Sequence, residues 1–237
     1  KCHLGAFLVK VPNPNSYTYP HQDWLFVDNN APELFSATIW VSLEDIDIQT
    51  GSLGFIKGSH NFLNNIVGSP SPEITTATMG HEALLLSYLT FPPVKKGDAL
   101  IFNNKTVHAA FPNTTQKQRI AVGIGVTPEP ATLYHYHLNA KNTKKIFKLT
   151  VEEAFFYTYG NDSLRKCFYK KELPLHTQLV DELDYNPVLF TKEEIENKII
   201  ENGNTKNNLP IENLFGNISF KDKLKFAFGY YLRKIMQ

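Results

Sequence analysis

The chain has 237 residues, of which 42% are hydrophobic and 20% charged, and a net charge of +1. That supplies enough apolar material for one sizeable core, and so balanced a charge leaves no electrostatic footprint for nucleic acid. No stretch is long and apolar enough for a transmembrane helix, and the opening Lys1-Cys2-His3-Leu4-Gly5 lacks the charged-then-apolar plan of a secretory signal. Cys2 and Cys167 have neither zinc-knuckle nor redox-pair spacing and read as free thiols of a reducing, cytoplasmic compartment.

Residues 5–130 read as short strands separated by Pro, Asn and Gly turns. Ala6-Phe7-Leu8-Val9 comes first, and His21-Gln22-Asp23 follows. On an extended strand, side chains two apart share a face, so His21 and Asp23 can address one ion while Gln22 points away. Trp24 and Phe26 come next, readable equally as pocket lining and as core. The strand over 36–41 carries Thr38 and Trp40, and Gly54-Phe55-Ile56 ends in the turn Gly58-Ser59-His60. After the turn Lys95-Lys96-Gly97, the run Asp98-Ala99-Leu100-Ile101-Phe102 leads to His108, which must reach His21 and Asp23 from a different strand. Two imidazoles and one carboxylate on one side of an ion leave coordination positions open, an arrangement that suits non-haem Fe(II) oxygenases better than closed structural zinc. Arg119 then opens the apolar run 120–126. A buried guanidinium left unpaired is expensive, so this one calls for an anion, and a dicarboxylate cosubstrate would supply it.

In order and spacing, His21-Gln22-Asp23, the stretch 51–60, the stretch 97–102, His108 and Arg119 resemble the phytanoyl-CoA dioxygenase family of Fe(II)/2-oxoglutarate oxygenases. The resemblance implies a mainly β fold, a double-stranded β-helix (jelly roll), here with C-terminal helices. It implies Fe(II) held by His21, Asp23 and His108, 2-oxoglutarate anchored by Arg119, and Trp40 beside the cosubstrate. The implied activity is a hydroxylase that uses O₂ on a small organic substrate and releases succinate and CO₂. Asp23 argues for hydroxylation, because related halogenases give up the carboxylate to make room for halide.

Two features depart from the family pattern. Ala110 stands where members commonly place a Ser or Thr that helps hold 2-oxoglutarate, and Thr38 and Lys10 are the residues expected to complete that grip. Only twenty residues precede His21, where family chains carry a long segment. Either the chain is a fragment of a longer one or the N-terminal part of the pocket is absent. A different class of function is a non-catalytic, cupin-like small-molecule binding module. A metal-assisted hydrolase is disfavoured, since no further carboxylate is placed for acid-base work and Arg119 would have no role.

Beyond residue 149 the texture changes, dividing the chain into a jelly-roll core over 1–149 and a helical extension over 150–237 packed on it. Thr150 with Glu153, Thr191 with Glu194 and Ser219 with Asp222 each set a hydroxyl three residues ahead of a carboxylate, so helices are expected near 150–160, 191–202 and 219–236. His135-x-His137 lacks a third ligand and reads as a half-exposed strand end. Residues 202–208, rich in Asn, read as a surface loop. The last stretch alternates Lys221, Lys223, Lys225, Arg233 and Lys234 with Leu224, Phe228, Leu232 and Ile235. It is expected to close the jelly roll or form a homodimer interface rather than to bind a membrane.

Overall fold

A computed structural model describes every residue except 29, 32, 71, 72 and 210–237, so the helix expected over 219–236 lies outside the described residues. Strands β1 (Cys2–Lys10), β7 (Arg119–Val126), β3 (Ala37–Ser42) and β5 (Ala99–Asn103) form one antiparallel sheet in that order. Strands β2 (Thr18–His21), β6 (His108–Ala110) and β4 (Leu53–Phe55) form a second, and Thr90 extends its β4 edge by a single bridge to Phe55. Trp40 and Ala121 of the first sheet share a buried cluster with Leu53 and Ala110 of the second, so the two sheets pack face to face as a jelly roll.

The register determines what faces inward. Side chains alternate along a strand, so Arg119, Ala121, Gly123 and Gly125 share the interior face of β7. Pairing sets Lys10, Leu8 and Ala6 of β1 on one side of them and Trp40 and Thr38 of β3 on the other. The opposite face of this sheet is apolar and uncovered among the described residues, with Phe7 73%, Ile101 69% and Val9 52% exposed. The outer face of the second sheet is covered instead. Val107, Ala109 and Phe111 pack there against Leu84, Leu85 and Leu86 from α2 (Glu82–Ser87) and Ile195 and Ile199 from α5 (Lys192–Glu201). Between β4 and α2 lies the one-turn helix α1 (Ser59–Phe62), entered through Gly58 at φ 72 and containing His60.

The segment after residue 149 is not wholly helical. Helices α3 (Glu153–Thr158) and α4 (Asn161–Lys170) are present, and α5 begins with the reciprocal Thr191/Glu194 cap that the sequence predicts. However, β8 (Tyr134–Leu138), β9 (Lys145–Val151) and β10 (Thr177–Asp184) form a third antiparallel sheet, and residue 149 falls inside β9. β10 was missed because Thr177-Gln178-Leu179-Val180-Asp181-Glu182 is exposed and polar and shows no clean alternation. The stretch 202–208 is also more than a surface loop. Buried Asn204 accepts from Lys57 N at 2.8 Å and donates to Lys57 O at 3.0 Å, pinning the end of α5 to the turn after β4. Among the described residues no helix is long and apolar enough to cross a membrane.

This third sheet and α3 support one loop of the jelly roll. Tyr136, Leu138 and Ile146 enclose Leu25 and Val27, while Phe155 and Phe156 enclose Phe26, with Trp24 against the same cluster. The residues immediately after Asp23 are therefore held from outside the β-sandwich.

Candidate metal and cosubstrate site

His21 ends β2 and lies directly opposite His108, the first residue of β6, so the two imidazoles form a cross-strand pair with ring centroids 4.2 Å apart. Asp23 lies just past the strand, its N–H donating to Asn104 O at 2.8 Å. Gln22 turns the other way, as alternation predicts, and its buried amide donates to Leu63 O and Lys105 O at 2.9 and 2.5 Å. One ligand atom each from His21, Asp23 and His108 then lies within 4.8 Å of the others.

Backbone carbonyls select the tautomers. Nδ1 of His21 donates to Tyr19 O at 2.7 Å and Nδ1 of His108 to Thr106 O at 3.0 Å, which turns both Nε2 atoms inward as the ligating nitrogens. These nitrogens stand 3.6 and 3.8 Å from the same carboxylate oxygen, Oδ1 of Asp23. His108 is enclosed by Phe55 and Phe102, whereas the His21 side chain is 40% exposed, so the site opens on the His21 side.

Electrostatics follow from this packing. Burial and the neighbouring His21 push His108 down to about 4, so it is neutral at pH 7. Burial also presses His21 toward neutrality, but the hydrogen bond and charge of Asp23 and the Tyr19 carbonyl outweigh it and raise its pKa. Burial works against ionisation of Asp23, and the two imidazoles with the Thr38 hydroxyl overcome it, holding the carboxyl well below the usual range. His21 and Asp23 thus favour each other's charged forms. This set fits a divalent ion, which would replace the His21 proton and keep open positions for other ligands.

Arg119 begins β7 at the far end of the interior face, only 5% exposed, with Nε lacking any hydrogen-bond partner. Its guanidinium lies 5.3 Å from the centroid of Trp40, two residues along β3 from Thr38. Between them β7 contributes only Ala121, Gly123 and Gly125 to that face, clearing a lane of small side chains from the buried cation toward the imidazoles. Lys10, opposite Arg119 in the register, is buried too; burial and Arg119 push its pKa down to about 7. Its Nζ donates to Phe111 O at 2.5 Å and Ala110 O at 3.4 Å, beside the alanine that stands where the family commonly has a hydroxyl. Gly51 makes room for it: a Cβ there would lie 2.6 Å from Lys10 Cδ, and φ is +88.

Thr38 sits beside the carboxylate rather than beside Arg119. Its hydroxyl lies 3.0 Å from Asp23 Oδ2 and 3.1 Å from Asn104 Oδ1. The pair His135 and His137 is not a half-exposed strand end: both rings are buried, with His135 Nε2 2.6 Å and His137 Nδ1 3.3 Å from Ser69 Oγ. Sequence reasoning missed their burial because nothing in the pattern of 177–184 announces the third strand of that sheet. His3 was also missed. It falls where β1 slips register between Cys2 and Leu4, it packs on Phe26 and Phe156, and both ring nitrogens are without partners.

Comparison with known proteins places these residues in context. Residues 2–121 match the phytanoyl-CoA dioxygenase family. A phytanoyl-CoA dioxygenase domain-containing protein 1 from Danio rerio is 33% identical over 119 residues, covering 48% of this chain and 40% of its own length. Its namesake from Bos taurus is 26% identical over 134 residues, covering 55% of this chain and 46% of its own. The chain therefore spans less than half the length of these curated relatives. Among solved structures, the non-haem α-ketoglutarate-dependent carbocyclase SnoK of nogalamycin biosynthesis is 24% identical, with a TM-score of 0.42 over 56% of this chain and 51% of that one. The cofactors of the matched family are Fe(II) and 2-oxoglutarate, and the inward pair of imidazole nitrogens, the single carboxylate and the buried Arg119, with no hydrogen bond to its Nε among the described residues, suit both. On the extent of that family match, which takes in both strands carrying the histidines and the first residues of β7, the chain belongs to the phytanoyl-CoA dioxygenase family.

Proposed function

We propose that this chain carries the catalytic centre of an Fe(II)/2-oxoglutarate-dependent dioxygenase that hydroxylates a small organic substrate. One observation carries the reading: two Nε2 atoms and one carboxylate oxygen converge at one end of a barrel whose other end holds a buried arginine with an Nε that has no hydrogen-bond partner among the described residues. His21, Asp23 and His108 would hold the iron. Arg119 would take the distal carboxylate of 2-oxoglutarate in a bidentate pair, with Trp40 forming the wall beneath it and Lys10 adding a second positive charge. With both present, the centre would couple conversion of 2-oxoglutarate and O₂ to succinate and CO₂ with insertion of oxygen into a substrate C–H bond. The protein's own contribution is to keep both histidines in the ligating tautomer, to keep Asp23 ionised, and to exclude water from the Arg119 end.

Iron-dependent formation of succinate from 2-oxoglutarate tests the reading. Anaerobically loaded protein, exposed to O₂, should form succinate, and His108→Ala should abolish it. Stoichiometric binding of 2-oxoglutarate with no succinate formed under any metal would favour the non-catalytic binding module instead.

A further inference from the structure

We propose that Thr38 and Asn104 are positioning residues that fix Asp23 as a one-oxygen ligand, an inference that rests on the metal reading above. The two oxygens of Asp23 have different surroundings. Oδ1 is the atom 3.6 and 3.8 Å from the two imidazole nitrogens, whereas Oδ2 lies 3.0 Å from the Thr38 hydroxyl.

Asn104 organises this arrangement from a fully buried position just beyond β5. Its backbone carbonyl accepts from Asp23 N at 2.8 Å and its Nδ2 donates to Trp24 O at 3.0 Å, so it grips the ligand residue and the next one. Its own N–H donates to Ser36 O at 3.0 Å, tying it to the start of β3. Because the Trp24 carbonyl can only accept, the amide orientation is determined, and Oδ1 must face Thr38 at 3.1 Å. The Thr38 hydroxyl has a single hydrogen and two acceptors. The charged one gives the stronger bond, so the hydrogen goes to Asp23 Oδ2. Antiparallel pairing of Thr38 with Phe102 holds hydroxyl and amide in this relation on rigid strands.

A carboxylate with both oxygens free can rotate and chelate an ion with the pair, closing a position. With Oδ2 engaged, Asp23 offers Oδ1 alone and that position stays open. The same bond helps keep the carboxylate ionised before any ion arrives.

The test uses Co(II) alone as probe, with thermal melts of the metal-free proteins alongside. Thr38→Val, equal in shape but without the donor, should melt near the parent and bind Co(II) on the order of tenfold more weakly, with a changed visible absorption band. Thr38→Ser, which restores the hydroxyl, should recover both affinity and band, a rescue that a packing role would not produce. Should Thr38→Val fail to fold, Thr38→Cys, similar in size and a weak donor, carries the same expectation. A folded Val or Cys variant with parental Co(II) affinity and spectrum overturns the clamp and leaves the metal site standing. A parent protein that binds no Co(II), or that binds it equally well as His108→Ala, overturns the metal reading and the clamp with it.

Discussion

Replacing Arg119 with Met should stabilise the ligand-free protein and remove most of the stabilisation that 2-oxoglutarate confers. Arg119 is only 5% exposed, and its Nε makes no hydrogen bond among the described residues. Burial lowers its pKa, and the charge of Glu44 only partly offsets this. An uncompensated cation is thus a cost in the ligand-free fold, and a methionine of similar reach should stabilise that form by roughly 1–4 kcal/mol. For a domain of this size each kcal/mol moves the melting temperature by about 2–4 °C. With cosubstrate that advantage shrinks by about 2.3 kcal/mol. At a concentration about a hundredfold above the parent's Kd, 2-oxoglutarate stabilises the parent by about 2.7 kcal/mol. Loss of the bidentate pair should weaken binding on the order of a hundredfold, leaving the variant a gain of only about 0.4 kcal/mol. Paired thermal scans with Co(II) present, with and without 2-oxoglutarate, read both effects. If the variant gains as much as the parent from 2-oxoglutarate, Arg119 is not the carboxylate site; a variant less stable without ligand would mean that the cation already has a compensating partner.

Three further outcomes follow from the same charges. Lys10 is pushed down to about 7, so it gains its proton as the pH falls through that value; in metal-saturated protein 2-oxoglutarate should bind more tightly at pH 6 than at pH 8, and Lys10→Met should flatten the difference measured by calorimetry. Because Asp23 raises the pKa of His21 and a ligating imidazole must be neutral, Co(II) affinity should fall as the pH falls through that raised pKa, with the displaced proton detectable as a buffer-dependent enthalpy. Burial lowers His3, His135 and His137 to about 4, 3 and 4 from the ordinary 6.5, so the unfolded chain binds more protons than the fold. Their contribution is fully present above pH 6.5 and is lost as pH falls toward 4, at up to about 4 kcal/mol per pH unit for the three together; a urea midpoint unchanged between pH 7 and 5 would contradict it.

What could be read in the sequence was what depends on local alternation. His21, Gln22 and Asp23 announce their own geometry because neighbours on a strand point to opposite sides, and Arg119 stands out because a guanidinium in an apolar run needs a partner. Asn104 gave no such signal. A buried asparagine bonded to Asp23, Trp24 and Ser36 looks in sequence like one more turn residue beside Asn103, because its role comes from long-range contacts. Thr38 was named from the sequence as a substitute for the hydroxyl missing at Ala110, and its bond to Asp23 is a long-range contact that no local pattern signals. His135 and His137 were misread because the burial of a strand depends on which sheet covers it, and β10, the outer member of that sheet, has almost no apolar pattern.

The site therefore depends on two kinds of support that respond differently to change. His21, His108 and Arg119 are placed by ladder pairing, which fixes a residue through backbone bonds irrespective of its side chain. Asp23 lies beyond the strand end, and its position depends on Asn104 and on the packing of residues 24–27 against the third sheet and α3. His135, whose ring meets Trp24 edge-on at 5.2 Å and lies 4.8 Å from Phe155, joins that packing to the metal loop. Loosening the C-terminal cluster should consequently move the carboxylate ligand before it moves either histidine.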